Sequence, residues 1–186
     1  MNQNLHIIRQ QFAQCVFTHK VQESACERKK KCAKKIIIIN IISTFFVLVS
    51  LILDLTFPVS QRILYTWIWI TVLEIMFLIV QLYFPFWDEA VKHKNSALQY
   101  LWLRDEYKNL IVDIMWGIPD NEVIIKRDEL LKKYQMICSL SLQTDYKDYN
   151  EAQKKLFWKT QWWEEFTRSD KEIDTFLPED LRFNKK

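Results

Sequence analysis

Two apolar runs joined by a short connector constrain the fold of this chain more than any other feature. The first run, Ile36 to Leu53, has 18 residues and no charge, and the second, Ile63 to Phe84, has 22 residues and one charge, Glu74. As α-helices they would measure roughly 27 and 33 Å, close to the roughly 30 Å hydrocarbon core of a bilayer. The connector, residues 54–62, contains Pro58 and is long enough only for an antiparallel return. The runs therefore predict a transmembrane hairpin.

Basic residues predict the orientation of this hairpin. Lys92, His93 and Lys94 follow the second run, whereas the connector carries only Arg62. A basic cluster precedes the first run: Arg28, Lys29, Lys30, Lys31, Lys34 and Lys35. By the positive-inside rule, both termini are expected on the cytoplasmic side. For the cluster itself we favour topology and contact with lipid headgroups. Binding of a nucleotide signal is the alternative.

The composition predicts helices in the rest of the chain. The sequence contains one glycine, Gly117, and four prolines, whereas sheets and turn-rich folds use both residue types freely. The predicted fold is an all-α membrane protein, in which long cytosolic helices extend the two-helix transmembrane hairpin and a helical tail ends the chain. The expected parts are a cytosolic N-terminal helix (1–35), transmembrane helices (36–53 and 63–84), the extracytoplasmic connector (54–62) and a cytosolic helical region (85–186).

The two helices next to the hairpin have apolar positions at helical spacing. Before the membrane these are Leu5, Ile8, Phe12, Val16 and His19. After it, Trp87 to Trp116 is expected to form a helix with an apolar face made of Val91, Leu98, Leu101, Leu110 and Val112. Gly117 and Pro119 provide its stop signal. We expect the two helices to pack as an antiparallel pair.

Three further helices are predicted toward the C-terminus. Glu122 to Leu142 is amphipathic, with Val123, Leu130, Tyr134 and Ile137 on one side. A fifth helix is expected from Tyr146 to Phe166, and Ser169 with Glu172 forms a capping-box pattern that starts a short sixth helix. The fifth helix carries three tryptophans, Trp158, Trp162 and Trp163. Packing against the other helices is the favoured interpretation of these rings, and contact with a partner or with lipid is the alternative.

Each apolar run carries polar residues at intervals of three or seven, which places them on one helix face. The six candidates for lining a pore or contacting another copy are Asn40, Ser43, Ser50, Thr71, Glu74 and Gln81. Glu74 is the most informative, because a carboxylate at mid-membrane costs several kcal/mol unless it is protonated, hydrogen-bonded or in contact with water. Hydrogen bonding to Ser43 or Thr44 within one hairpin is one interpretation. The other is an oligomeric pore, since two helices cannot enclose a channel.

Catalytic and ligand-binding motifs are not found in the sequence. A single glycine rules out a glycine-rich phosphate loop, and no GxSxG, HExxH or paired Cys/His pattern occurs. We therefore expect no enzyme activity, no cofactor, no metal and no sequence-specific nucleic-acid binding. The four cysteines, Cys15, Cys26, Cys32 and Cys138, are expected to be reduced thiols. Acylation of Cys32, beside the membrane, is an alternative.

Three segments resemble a known family. They are THKVQESACERKKKCAKK before the first run, WDEAVKHKNSALQYLWLRDEY after the second, and EIDTFLPEDLR near the end. Together with the order of helices and spans, they are similar to the SLATT family over about residues 5 to 182. These are two-span effector domains associated with nucleotide-second-messenger synthases and nucleotide sensors of prokaryotes.

The resemblance implies a function in bacterial defence against phage. It implies an effector of the inner membrane that assembles into oligomers, opens pores and causes abortive infection when a partner senses the phage. The partner would be a nucleotide-signal synthase, a sensor or a reverse transcriptase encoded nearby. The family has no catalytic motif to carry over to this chain. A non-conducting anchor or scaffold, which recruits a partner through its cytosolic helices, is the alternative function.

Overall fold

The computed structural model describes residues 3–56, 61–83, 85–157 and 166–183. Within these ranges the chain forms helices and no strands. The α-helices are α1 (Gln3–Thr56), α2 (Gln61–Tyr83), α3 (Phe86–Met115), α4 (Asp120–Leu140), α5 (Tyr146–Phe157) and α6 (Asp170–Phe176), followed by a 3₁₀ turn at Glu179–Leu181. The prediction of an all-α, membrane-type protein is confirmed.

Helix α1 joins the N-terminal segment and the first apolar run into one element of 54 residues. Neither glycine nor proline occurs between Gln3 and Thr56, so no residue in this range removes a backbone hydrogen bond or favours a break. The expected N-terminal helix and the first transmembrane helix therefore form one continuous helix. Helix α2 has 23 residues and contains most of the second run.

The chain divides into two compact units. Met1–Glu27 and Ala90–Lys186 form the first, which we call the helical unit. Arg28–Glu89 forms the second, which we call the hairpin unit. Each unit has its own packing and is described separately.

In the helical unit, the N-terminal part of α1 packs antiparallel to α3. His19 Nδ1 lies 2.8 Å from the carbonyl oxygen of Ala97, and His93 Nδ1 lies 2.6 Å from Oε1 of Gln22. Position 19 therefore lies opposite 97, and position 22 opposite 93, which confirms the predicted antiparallel pair. The core of the unit combines Ile8 and Phe12 of the predicted N-terminal face with buried residues of α3, α4, α6 and the C-terminal segment.

The predicted apolar face of α3 is only partly correct. Leu110 is buried, but Val91 is 41% exposed and Leu98 is 52% exposed. The face that packs instead includes small and amphipathic residues: Ala90, His93, Ser96, Ala97, Tyr100, Leu103, Tyr107, Leu110 and Ile111. Small side chains allow the α1 backbone to approach. His93 and Tyr100 are buried beside them with polar groups that have partners, Gln22 and Cys138. In the first half of α3, the spacing of apolar residues therefore predicted the wrong side of the helix as the packed side.

The later helices begin and end close to the predicted positions. Gly117 has a φ of +89°, in the region that favours glycine, and it ends the α3 segment before α4 starts at Asp120. The predicted buried positions on α4 are confirmed for Val123, Leu130 and Ile137. The capping box is confirmed as well, because the Ser169 amide donates to Glu172 Oε2 at 3.0 Å.

Helix α5 is described from Tyr146 to Phe157, and Phe166 is not helical. The residues between them lie outside the described ranges. They include Trp158, Trp162 and Trp163, whose two interpretations stay predictions.

Candidate functional site

The hairpin unit exposes its apolar side chains. Only 6% of the most apolar window of α1 is buried, and the described residues contain one segment, Gln3–Leu53, that is long and apolar enough to cross a membrane. A shorter apolar stretch lies in α2 at Tyr65–Ile79. Large side chains such as Phe45 and Trp69 are more than 60% exposed. An apolar helix in the core of a soluble protein would be covered, so this surface requires lipid or another apolar partner.

The polar candidates have the opposite pattern of burial. Ser50 is 4% exposed and Glu74 is 8% exposed, although most apolar residues around them are open. Asn40, Ser43 and Thr71 are half-buried. The candidates are thus turned toward the inside of the hairpin, where α1 and α2 cover each other. The sixth candidate, Gln81, lies on α2, but its side chain is outside the described part of the structure.

Glu74 is hydrogen-bonded across the hairpin. Its Oε1 lies 2.6 Å from the hydroxyl oxygen of Thr44, which also lies 2.9 Å from the carbonyl oxygen of Asn40. The hydroxyl of Thr44 has a single proton, so it donates either to Glu74 Oε1 or to the carbonyl oxygen of Asn40 at any one time. The geometry corresponds to the interpretation in which Glu74 bonds within one hairpin, with Thr44 as its partner.

Asn40 leaves a polar atom unpaired beside this contact. Its side-chain oxygen is buried and has no hydrogen-bond donor among the described residues. A buried acceptor without a donor is costly, and the cost is higher where no water is present. The polar face therefore retains hydrogen-bonding capacity that one hairpin does not use.

We expect Thr44→Val to weaken the packing of α1 on α2 by about 1 kcal/mol, the scale of interhelical hydrogen bonds in membranes. Valine keeps the shape of threonine and removes the hydroxyl, which leaves Glu74 without its donor. The measurement is reversible unfolding of the full chain in bicelles. Thr44→Ser keeps the hydroxyl and should remain within about 0.3 kcal/mol of the original chain. Equal stability of the Val and Ser variants would contradict the role of this hydrogen bond.

The basic cluster divides into paired and unpaired side chains. Lys29 forms an ion pair with Glu89 at 2.5 Å, and its ammonium lies 5.6 Å from the centroid of the Phe86 ring. Lys31, Lys34 and Lys35 are exposed, and Lys30 is half-buried. The ion pair between Lys29 and Glu89 connects the middle of α1 to the beginning of α3 within the hairpin unit.

A buried ion pair in the helical unit was not predicted. The guanidinium of Arg9 is fully buried and lies 2.5 Å from Oδ1 of Asp174. It also donates to the carbonyl oxygen of Leu181 at 2.8 Å, and it lies 3.6 Å from the ring centroid of Phe183. Arg9 thus holds the C-terminal segment against α1. The position of Arg9 in the sequence, between the core residues Ile8 and Phe12, could have indicated this ion pair, because a charged residue on an apolar helix face requires a buried partner.

The cysteines differ strongly in their surroundings. Cys15 is fully buried, and this burial, with a smaller contribution from Cys138, raises its pKa to about 12. Cys138 is exposed, and its sulfur lies 3.1 Å from the hydroxyl of Tyr100. The described residues contain no group of three or more His, Cys, Asp or Glu side chains that could hold a metal ion.

We expect alkylation at neutral pH to modify Cys138 and to leave Cys15 unmodified. The thiolate is the reactive form. A rise of the Cys15 pKa from 9.0 to about 12 reduces its thiolate about a thousandfold, and burial also excludes the reagent. Mass spectrometry of the native protein after iodoacetamide treatment measures both sites. Similar rates for the two thiols would show that Cys15 is not buried in the native protein.

Comparison with known proteins identifies one family. No curated protein and no solved structure matches the chain. The model of one family matches residues 5–172, a range that contains both apolar runs and all six polar candidates. Its description names a domain with two transmembrane segments, which agrees with the hairpin of α1 and α2 and confirms the resemblance seen in the sequence. The chain belongs to the SMODS and SLOG-associating 2TM effector domain family 4.

Proposed function

We propose that this protein is a membrane effector of a prokaryotic antiphage system. In this proposal it oligomerises in the inner membrane and forms a pore, or otherwise disrupts the membrane, when a partner signals infection. Membership of a 2TM effector domain family supports the effector function.

The observation that carries the pore proposal is the polar face of an otherwise apolar hairpin. Glu74 is buried against Thr44, and Asn40 has a side-chain oxygen without a donor in the described structure. Several copies that share these faces would supply further donors and could enclose a polar path. The hairpin's outward apolar residues would then remain in lipid. Because one hairpin already satisfies Glu74 in part, opening requires that α1 and α2 exchange some contacts with each other for contacts with another copy.

The proposed topology has both termini in the cytoplasm. The supporting feature is the basic cluster at the start of the first apolar run, together with the single basic residue, Arg62, in the connector. The helical unit would then face the cytoplasm, where a nucleotide-signal synthase, a sensor or a reverse transcriptase encoded nearby could act on it. No cofactor and no sequence-specific nucleic-acid binding are part of the proposal.

A non-conducting anchor or scaffold is the second candidate function. The hydrogen bond between Glu74 and Thr44 favours it, because that bond also serves simple packing of a stable hairpin. In this case the helical unit would recruit a partner to the membrane, and the polar face would not contact water during activity.

Regulated expression in bacteria, together with the neighbouring genes, distinguishes the two functions. Cells are infected with phage, and a fluorescent dye reports the membrane potential of single cells. The effector proposal predicts depolarisation and growth arrest before the phage lyses the cell. The anchor function predicts recruitment of the partner with an unchanged potential, and this result in cells that contain inserted protein would overturn the pore proposal.

A further inference from the structure

The strongest additional feature of the molecule is a lysine face on α1, made of Lys30, Lys31, Lys34 and Lys35. These four positions fall within about 140° of the helix circumference, at 100° per residue. The residues that pack inward lie on the other side of the helix: Ala33 is 6% exposed, and Lys29 is paired with Glu89. The lysine face therefore points away from the packed side of the hairpin unit.

The four lysines have no ion-pair partner among the described residues, in contrast to Lys29. The sequence gives a reason, because no acidic residue occurs in α1 between Glu27 and Asp54. Four cations on one helix face repel one another, and the cost of this repulsion is reduced by counter-ions. The described residues supply no counter-ion to this face, so an anion from outside them would neutralise it.

The position of the face determines which anion can reach it. Lys35 is followed directly by the apolar run that begins at Ile36, whose exposed side chains require lipid. At 1.5 Å per residue, Lys30 lies within about 9 Å of the start of this run along the helix. Lysine side chains extend toward the headgroup layer when their backbone is near the boundary of the hydrocarbon. The face therefore lies at the depth of phospholipid phosphates.

We propose that Lys30, Lys31, Lys34 and Lys35 form a binding surface for anionic phospholipid headgroups. Lys34 and Lys35, which are exposed and next to the apolar run, contribute most, and Lys29 contributes less because Glu89 neutralises it. The surface makes the protein select anionic lipids around its hairpin. The inference rests on the proposed membrane function, since it requires that the hairpin is inserted.

Quenching of tryptophan fluorescence by brominated lipids tests the surface on the full-length protein. The protein is reconstituted in phosphatidylcholine with increasing amounts of brominated phosphatidylglycerol, and quenching gives the relative binding constant of the two lipids. A basic residue near an anionic surface contributes about 1 kcal/mol, which corresponds to about fivefold per lysine. We therefore expect the preference for phosphatidylglycerol to fall about tenfold or more in the double variant Lys34→Gln/Lys35→Gln.

Two controls keep the test specific. Lys34→Arg/Lys35→Arg keeps both charges and should retain the preference within about twofold. Lys29→Gln removes one charge from the same helix and should change the preference less than Lys34→Gln. The proposed binding surface is contradicted if Lys34→Gln/Lys35→Gln keeps the full preference for phosphatidylglycerol. It is also contradicted if Lys29→Gln and Lys34→Gln reduce this preference equally.

A separate measurement distinguishes failure of this inference from failure of the membrane function. Extraction of membranes with alkaline carbonate reports whether each variant is inserted. An inserted protein without lipid preference contradicts the lysine surface alone. A protein that carbonate releases from the membrane contradicts the membrane function as well.

Discussion

Replacing Asp174 with alanine is expected to destabilise the docking of the C-terminal segment on α1 by about 3–5 kcal/mol. This is the cost of removing one partner from a buried ion pair, because the remaining charge stays in the protein interior. Arg9 is fully buried, and Asp174 is the only side chain that the described structure places in an ion pair with it. Hydrogen exchange of the Ile173 and Leu177 amides in the full-length protein should accelerate at least about 100-fold.

Two variants control this prediction. Asp170→Ala removes a half-exposed acid from the same helix, whose Oδ1 lies 3.7 Å from Nδ1 of His6. This variant should change stability by less than about 0.5 kcal/mol. The double variant Arg9→Met/Asp174→Leu removes both charges and should be more stable than Asp174→Ala alone. If Asp174→Ala and Asp170→Ala have the same effect, the buried ion pair does not hold the segment.

Replacing Glu74 with leucine is expected to lower infection-induced depolarisation at least about tenfold. Leucine removes the carboxyl group that Thr44 contacts, and it makes the centre of α2 continuously apolar. A water-filled path needs polar groups at this depth, since an apolar constriction closes a pore by dewetting. The membrane-potential dye measures the effect in infected cells that contain equal amounts of inserted protein.

Matched variants separate the carboxyl group from general changes in α2. Glu74→Gln keeps hydrogen-bonding atoms and should retain a larger part of the depolarisation than Glu74→Leu. Met76→Leu is an apolar exchange at a side chain that is 58% exposed on the same helix, and it should leave the depolarisation unchanged. If cells with Glu74→Leu depolarise as strongly as cells with the unsubstituted protein, Glu74 has no part in conduction.

The sequence alone predicts those structural features that depend on residues close together in the chain. The absence of glycine and proline predicts the unbroken α1, Gly117 predicts the end of α3, and the Ser169–Glu172 pattern predicts the start of α6. Each depends on residues within a few positions of each other, where propensity and capping decide the conformation. The polar face of the hairpin could also be found, because regular spacing within one helix is a local property.

Features that depend on distant residues could not be predicted. Arg9 and Asp174 are 165 residues apart, so nothing in the neighbourhood of either one identifies its partner. The packed side of α3 depends on which helix faces it, and alanine, histidine and tyrosine formed that side while Leu98 remained exposed. The sequence left two possible partners for Glu74 within one hairpin, Ser43 and Thr44, and only the packing of α1 on α2 selects Thr44.

Ion flux through vesicles that contain the purified protein, together with the partner that signals infection, tests the central claim most directly. The vesicles are prepared at increasing ratios of protein to lipid, and cross-linking of the same samples reports the oligomers. Because two helices cannot enclose a channel, a pore made of several copies predicts flux that rises more steeply than linearly with this ratio. Vesicles in which cross-linking detects oligomers, but in which flux stays at the level of protein-free vesicles at every ratio, would contradict the pore.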